Sequence, residues 1–408
     1  MKILLLNQFF WPDAAPTGEL LADLARELAH GGWEVTVLCG SSAYAGERDK
    51  LPEILEIPGV LVRRASVPAF GRGIIPRMLS YGSYLAVAAG HCLFRSRPDV
   101  VVTMTTPPFL SVAGALAQRL RGVRHVIWEM DMYPDVAVDL GVIQQRAWVT
   151  RILGALGNYV RRTADAVIVL GNCMRERMLD QRIPLEKIHV AENWADGDAI
   201  FPRPRPPHDG ILRVLYSGNL GRAHDIDTIC SVMEQLGNDP RIQFTFAGGG
   251  SRRAKLEAFC RDRGLQNVEF RSYCKRSLLG QELSKADIGL VTQKPECLGS
   301  VVPSKVYGLM AAGRPYLFIG PLDSTPGEII EKHNCGWRAD CGDVPSLVSL
   351  LQRLSEQPGL VARAGERARH AFLHDYNKPQ GTARIVAVIN AVTPGAQVPA
   401  VKVHGGSA

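Results

Sequence analysis

The 408-residue sequence predicts an α/β protein made of two doubly wound, Rossmann-like parallel-sheet domains in tandem. Three observations carry this. Short, unbroken Val/Ile/Leu runs alternate with longer helical patterns, as strands do when both faces of a sheet are covered by helices. The alternation stops once, in the proline-rich stretch Phe201-Pro-Arg-Pro-Arg-Pro-Pro-His-Asp-Gly210, and then restarts. The length also exceeds the usual single core and suits two domains of roughly 200 residues. The chain therefore divides into a first domain over 1–200, a linker over 201–210 and a second domain over 211–374. A helical stretch over 375–392 is read as packing back on the first domain, and a Pro-, Gly- and Ala-rich tail over 393–408 is expected to be disordered. Open sheets of this kind bind ligands beyond the carboxyl ends of their strands, so a ligand crevice is expected between the two domains there.

In the first domain the apolar runs place strands at Ile3–Leu6, Glu34–Leu38, Val60–Arg63, Val100–Met104, His125–Trp128, Ala166–Leu170 and Ile188–Val190. Helices fall between them, near 17–30, 77–94, 109–121, 145–163 and 172–182. In the second domain strands are expected at Arg213–Tyr216, Gln243–Ala247, Val268–Phe270, Ile288–Val291 and Tyr316–Ile319. Helices are expected near 225–236, 252–263, 277–285, 303–312, 325–332 and 343–356, and a last one near 378–391.

Nine scattered cysteines with no Cys-x-x-Cys pair argue against a disulfide framework and a structural zinc site, and point to a reducing cytosol. The first strand reaches polar residues too soon to read as a signal peptide, and no run approaches the ~20 apolar residues of a membrane span. The net charge is +7, yet residues 1–200 hold 21 Lys/Arg and 21 Asp/Glu. The basicity there is local: between Leu61 and Pro98 lie Arg63, Arg64, Arg72, Arg77, Arg95 and Arg97 with no acid. Interleaved aromatic and aliphatic residues suit the headgroup region of an anionic membrane, with Arg63, Arg64, Arg72 and Arg77 facing it. A loop followed by an ordinary buried Ala-rich helix fits the same residues. No nucleic-acid-binding signature accompanies the charge, so nucleic acid is not expected as a partner.

Ser300-Val-Val-Pro-Ser-Lys305-Val-Tyr-Gly-Leu-Met-Ala-Ala-Gly313-Arg-Pro315 is a loop running into a short apolar helix. With Pro303 at the first helical position, the free N–H groups of Ser300, Val301 and Val302 would face an anion, and Lys305 would add a point charge. A plain helix start with a solvated Lys305 gives the same pattern. Tyr216-Ser-Gly218-Asn219-Leu-Gly221-Arg222-Ala-His224-Asp225 closes a strand and opens a helix. Its glycines let backbone approach a ligand, Arg222 can clamp phosphate oxygens, His224 can hydrogen-bond, and Asp225 can cap the helix. Gly248-Gly-Gly250-Ser251 repeats this arrangement or is simply a tight turn. In the first domain, the loop after the first strand ends in Thr17-Gly18, with Thr17 a candidate helix cap and Gly18 a point of close approach. Trp128-Glu129-Met-Asp131-Met-Tyr-Pro-Asp135 puts carboxylates where such sheets present catalytic groups, and Asp131 is the candidate to accept a proton from a sugar hydroxyl or to hold that hydroxyl. Glu129-x-Asp131 could alternatively hold a metal, and solvated loop acids, with Asp135 capping a turn, fit as well. Hydrolase-elbow, P-loop and zinc-protease motifs are absent from the sequence.

In order along the chain, Gln8-Phe-Phe-Trp-Pro-Asp13, Asp131-Met-Tyr-Pro-Asp135, Glu192-Asn193-Trp194, Tyr216-Ser-Gly-Asn-Leu-Gly-Arg222 and Pro303-Ser-Lys-Val-Tyr-Gly-Leu-Met-Ala-Ala-Gly-Arg-Pro315 resemble the family 4 glycosyltransferases of GT-B fold. The likeness is to the bacterial branch that builds exopolysaccharide, colanic acid and O-antigen, and it spans about residues 1–392. It implies metal-independent, cofactor-free, retaining transfer from a nucleotide diphosphate sugar, held mainly by the second domain, to an acceptor held by the first. Thr17 and Gly18 would then form a donor-phosphate loop, with Gly218 and Asn219 also on the donor. Arg222 and Lys305 would neutralise the diphosphate, Ser304 would hydrogen-bond it, and Tyr273 would sit by the nucleobase. Two departures stand out: Ser300 and Gly308 occupy the positions of the family's paired glutamates, and Asn219 and His224 those of a common Arg and Lys.

The function expected is sugar transfer from a UDP-sugar, an N-acetylated one among the candidates, to a lipid-linked saccharide in cell-surface polysaccharide synthesis. It is expected in the cytoplasm, peripherally on the inner face of the plasma membrane. An NDP-sugar epimerase of the UDP-N-acetylglucosamine 2-epimerase type, or a non-catalytic sugar-nucleotide-binding protein, are the other readings.

Overall fold

The computed structural model describes residues 1–13, 15–41, 56–68, 73–204 and 209–393. Arg72, part of the linker and the tail beyond Thr393 lie outside the described residues. By their internal contacts the residues form two units: Met1–Leu170, Met174–Glu192 and the chain from Pro379 onward make up the first, and Gly171–Cys173 with Asn193–Lys378 the second.

The first unit runs β1 (Lys2–Leu6), α1 (Pro16–His30), β2 (Glu34–Gly40), β3 (Val60–Ala65), α2 (Ile74–Gly90), β4 (Val100–Thr103), α3 (Ser111–Arg121), β5 (Arg124–Trp128), α4 (Asp135–Asp139), α5 (Trp148–Thr163), β6 (Ala166–Val169), α6 (Asn172–Asp180) and β7 (Ile188–Val190). Its seven strands are parallel in the order β3-β2-β1-β4-β5-β6-β7. β1, β4, β5 and β6 are buried almost throughout, which is why their sequences are unbroken apolar runs rather than alternating ones. The turn His91–Arg95 continues α2 in π-helical form.

In the second unit β8 (Leu212–Ser217), α7 (Asp227–Leu236), β9 (Ile242–Ala247), α8 (Arg253–Asp262), β10 (Val268–Arg271), α9 (Leu279–Ser284), β11 (Ile288–Thr292), α10 (Lys305–Ala311), β12 (Tyr316–Ile319), α11 (Thr325–His333), β13 (Gly336–Ala339), α12 (Val344–Glu356) and α13 (Pro358–Ala371) follow one another; α14 (Lys378–Ala391), the last described helix, belongs to the first unit from Pro379 onward. The six strands are again parallel, in the order β10-β9-β8-β11-β12-β13. Two apolar clusters hold this sheet, one on each face: Phe244, Leu256 and Leu347 belong to one, Tyr307, Phe318 and Phe372 to the other.

The two parallel sheets agree with the expected fold class, and the strands lie where the apolar runs put them. Three elements were not expected. β13 is a four-residue edge strand whose Gly-Trp-Arg-Ala carries no apolar run, α4 is a single turn and a half after a loop, and α13 has a long Arg- and Ala-rich sequence with a sparse apolar stripe. All nine cysteines are free.

Candidate active site

Both sheets carry glycine-bearing loops at the carboxyl ends of their strands, and in the second unit two of these loops meet. β8 ends at Tyr216 and Ser217, and the chain then passes through Gly218 at φ 126°. β9 ends at Ala247, followed by Gly248 at φ 127° and Gly250 at φ 125°. The two loops pack backbone on backbone: a Cβ on Gly248 would lie 2.2 Å from the Gly218 carbonyl oxygen, and one on Gly250 2.3 Å from that of Leu220. Leu220 N–H donates to the Gly249 carbonyl at 2.7 Å, and Arg253 from α8 donates to the carbonyls of Gly248 and Arg271. The triple glycine is thus part of the cradle rather than an isolated turn. A Gly248→Ala variant meets both a steric clash and a left-handed φ, and is expected to lose about 3 kcal/mol or more in urea unfolding.

Lys305 reaches into this cradle. It is the first residue of α10, and its stem passes Gly218, where a Cβ would sit 2.9 Å from the Lys305 Cε. Its Nζ lies 4.0 Å from the centre of the Tyr216 ring and donates to the Tyr216 hydroxyl and, at 3.3 Å, to the Asn219 carbonyl. The Tyr216 hydroxyl in turn donates to that same carbonyl at 2.7 Å. His224 completes the ring. Its Nδ1 lies 2.8 Å from the Thr292 carbonyl and must carry the proton there, so its Nε2 accepts from Lys305 at 3.3 Å. Burial pushes the Lys305 ammonium down to about 7, and burial together with Lys305 pushes His224 down to about 3. Among the described residues the Lys305 amine thus meets the Tyr216 hydroxyl, the Asn219 carbonyl and His224, and no carboxylate.

The loop leading to α10 differs from expectation. Pro303 is not the first helical residue: it precedes the N-cap Ser304, which is exposed and makes no side-chain cap. The Ser300 and Val301 amides are not free, because both donate to the Cys297 carbonyl, at 3.2 and 3.4 Å. Ser300 is fully buried and its hydroxyl is spent on the same carbonyl at 3.3 Å. Of the three amides, that of Val302 is the one that makes no hydrogen bond to Cys297. Gln293, at the end of β11, shapes this turn by donating from Nε2 to the Cys297 and Val301 carbonyls, each at 3.0 Å. The signal that could have found it is a Thr-Gln pair closing an otherwise apolar strand.

Around the cradle, Asn219 and Arg222 are exposed, and Tyr273 is 61 % exposed and lies over Gly249. Arg271 is engaged with Glu269 and Glu282. Asp225 caps α7 by accepting from the Asp227 and Thr228 amides.

In the first unit, Gly18 lies in the first turn of α1, where a Cβ would come within 3.0 Å of the Phe10 backbone. Thr17 is not the cap: Ala15 holds that position with Pro16 following, and the Thr17 hydroxyl accepts from Asn7 Nδ2 at 3.3 Å. Beyond β5, Glu129 is bound by Arg161 through Nη2 at 2.6 Å and Nε at 3.3 Å, with both side chains only 5 % exposed. Arg161 also donates to the Tyr133 carbonyl at 2.9 Å. Glu129 is therefore neither a solvated loop acid nor a candidate metal ligand. Asp135 is no plain turn cap either, since it accepts from Gln181 at 2.7 Å and Arg177 at 3.3 Å. Asp131 is left as the carboxyl of the motif with a raised affinity for its proton, pushed up to about 6 first by burial and then by Glu129.

Of the arginines expected to face a membrane, Arg63 and Arg77 are exposed. Arg64 instead folds back, donating to the Gly40 carbonyl at 3.2 Å and the Trp11 carbonyl at 3.3 Å, because the loop ends there offer it acceptors.

Two family models account for most of this chain: the glycosyl transferase 4-like domain matches residues 17–194, and the glycosyl transferases group 1 domain residues 201–371. The chain is a glycosyltransferase of the group 1 family. This glycosyltransferase is 27% identical over 275 residues to a probable glycosyltransferase, WbjE, of Pseudomonas aeruginosa, a match over 64% of this chain and 67% of the relative. It is 25% identical over 360 residues to the putative colanic acid biosynthesis glycosyl transferase WcaI of Escherichia coli K12, over 81% and 86% of the two chains. Among solved structures it resembles Anabaena Alr3699/HepE in complex with UDP-glucose, with a TM-score of 0.69 at 15% identity, over 96% of this chain and 100% of that one. The glycosyltransferase thus has the GT-B arrangement of two Rossmann-like, parallel-sheet domains.

Proposed function

We propose that this glycosyltransferase moves a sugar from a UDP-sugar to a lipid-linked saccharide in cell-surface polysaccharide synthesis, with retention of configuration and with no divalent ion or other cofactor. The observation that carries the donor assignment is Lys305, an amine set across Tyr216 beside Gly218 that meets no carboxylate among the described residues. A departing nucleoside diphosphate gathers negative charge as the glycosidic bond breaks, and a cation already held at that place stabilises it without reorganising. Arg222, exposed at the rim, adds a second charge in a bidentate fork. Gly218, Asn219, the Val302 amide and Ser304 line the phosphates, and Tyr273 offers its exposed ring to the base. The buried Ser300 acts by holding the turn with Val301.

In the first unit Thr17 and Gly18 form the second donor-phosphate loop, and Asp131 receives the acceptor. WcaI and HepE support the reading by what their names say they do and bind, a colanic acid transferase and a UDP-glucose complex. The protein acts on the cytoplasmic face of the plasma membrane, where lipid-linked intermediates and nucleotide sugars meet, and does so peripherally: no helix among the described residues is long and apolar enough to cross a bilayer. Neither an epimerase nor a non-catalytic binder is favoured by any feature of the site.

The test is incubation of purified protein with UDP-, GDP- and dTDP-sugars, lipid acceptor and EDTA, followed by product analysis. Transfer from a UDP-sugar that survives EDTA and keeps the anomeric configuration upholds the proposal, and a requirement for added metal overturns its metal-independent part. Because Asp131 titrates near 6 and works as the carboxylate, kcat/KM is expected to fall as pH drops below 6, and Asp131→Asn should remove both the activity and this limb of the profile. The sign for stability is opposite. A folded pKa above the ordinary 3.8 means that ionised Asp131 costs stability, so the Tm gain of Asp131→Asn should grow between pH 4 and 6 and stay level above.

A further inference from the structure

The helices α2, α3 and α5 form one contiguous layer of the first unit, α3 packing against both of the others. A surface helix ordinarily buries its apolar stripe and exposes its polar one. In this layer α5 does the reverse. Its inward positions are Thr150, Gly157, Val160 and Arg161, while Trp148, Ile152, Leu156 and Tyr159, spaced along one face of the helix, point outward. Trp148 is 72 % exposed and Ile152 57 %. The neighbouring helices extend this face with Leu116 and Leu120 from α3, Ile75, Met78 and Leu79 from α2, and Phe94, 84 % exposed, from the turn after it. Exposed apolar side chains gathered on three neighbouring helices mark an interaction site.

Charge selects the partner. The stretches 74–95, 111–121 and 144–163 contain no Asp or Glu, and Arg95, Arg119 and Arg151 are exposed among the apolar side chains. Asp165, near the foot of this layer, is taken up by Arg124 and Gln118. Two copies of such a face would bring like charges together, which disfavours self-association. A surface with anionic headgroups above an acyl region matches both features, and Trp and Tyr are the side chains that settle at that boundary.

We infer that the outer face of the α2–α3–α5 layer docks on an anionic phospholipid bilayer, with Trp148, Ile152, Leu156 and Tyr159 of α5 entering the headgroup boundary and the arginines pairing with phosphates. The inference rests on the reading above that the acceptor is lipid-linked; it keeps the Leu61–Pro98 stretch in the contact through Ile75, Met78, Leu79 and Phe94 and adds the outer face of α5.

Co-sedimentation of the full chain with vesicles of phosphatidylglycerol and phosphatidylethanolamine, against phosphatidylcholine vesicles, tests it. The wild type is expected to bind only the anionic vesicles. Trp148→Glu/Ile152→Glu should lose at least tenfold in partitioning, and Arg119→Gln/Arg151→Gln about 30-fold, two basic side chains at about 1 kcal/mol each. All four side chains face outward, so circular dichroism and Tm should stay at wild-type values and show that both variants fold. Equal binding by wild type and variants, no binding by the wild type, or a wild-type dimer that Trp148→Glu/Ile152→Glu dissociates in sedimentation velocity, would each overturn the inference. Transfer to a detergent-dispersed acceptor reports the functional reading separately. Activity without vesicle binding removes the docking surface alone, whereas vesicle binding without transfer upholds the surface and removes the functional reading.

Discussion

Lys305→Met is expected to lower kcat/KM by about 100- to 1,000-fold, the scale on which preorganised stabilisers of a developing anion act. Methionine keeps the length and apolar stem that pass Gly218, so the loss reports the charge rather than a cavity. The buried amine titrates near 7, so at pH 8 much of it is neutral, and a bound diphosphate restores its proton. Donor binding at pH 8 should therefore take up nearly one proton, visible as a dependence of calorimetric enthalpy on buffer ionisation enthalpy, and Lys305→Met should abolish it. Binding that is proton-neutral in the wild type would sink the assignment. Stability moves the other way from activity. With a folded pKa below the ordinary 10.5, charged Lys305 costs stability, fully so below pH 7, and the Met variant should be the more stable protein there.

Arg161→Met should be the most damaging single change in the first unit, at about 3–5 kcal/mol in urea unfolding at pH 7, because it strands the carboxylate of Glu129 in a nearly water-free place. Removing both partners with Glu129→Gln/Arg161→Met should recover a large part of that loss, since the cost lies in the unpaired charge and not in the missing contact. A double variant as unstable as the single one would show that the packing of Arg161 against the Tyr133 carbonyl matters more than the charge. Activity should fall in the single variant beyond what stability explains, because Glu129 and Asp131 share one loop.

Much of the fold was legible because β1, β4, β5, β6 and β11 are buried on both faces and write themselves as apolar runs. β13 escaped because an edge strand with half-exposed residues has no such signature, and α13 because its apolar stripe is thin. The same contrast holds at the site. Lys305, Gly218 and the carboxylates after β5 could be picked out, since glycine, a lone cation and acids at strand ends are chemical signals whatever surrounds them. Their roles were not equally readable: Glu129 and Asp131 look alike in the chain and differ only because Arg161, 32 residues away, reaches one of them.

The sequence by itself determined the two parallel sheets and which strand ends carry chemistry, because burial period and residue type are local properties; the division at Asn193 rather than after residue 200 came from the internal contacts. Only the tertiary structure decided that the Ser300 and Val301 amides are spent on Cys297, that Arg64 turns inward, that Lys305 lies across Tyr216 against His224, and that α5 turns its apolar face outward. Those outcomes depend on which acceptor or which neighbouring helix a side chain meets across long stretches of chain, and no periodicity or propensity encodes that meeting.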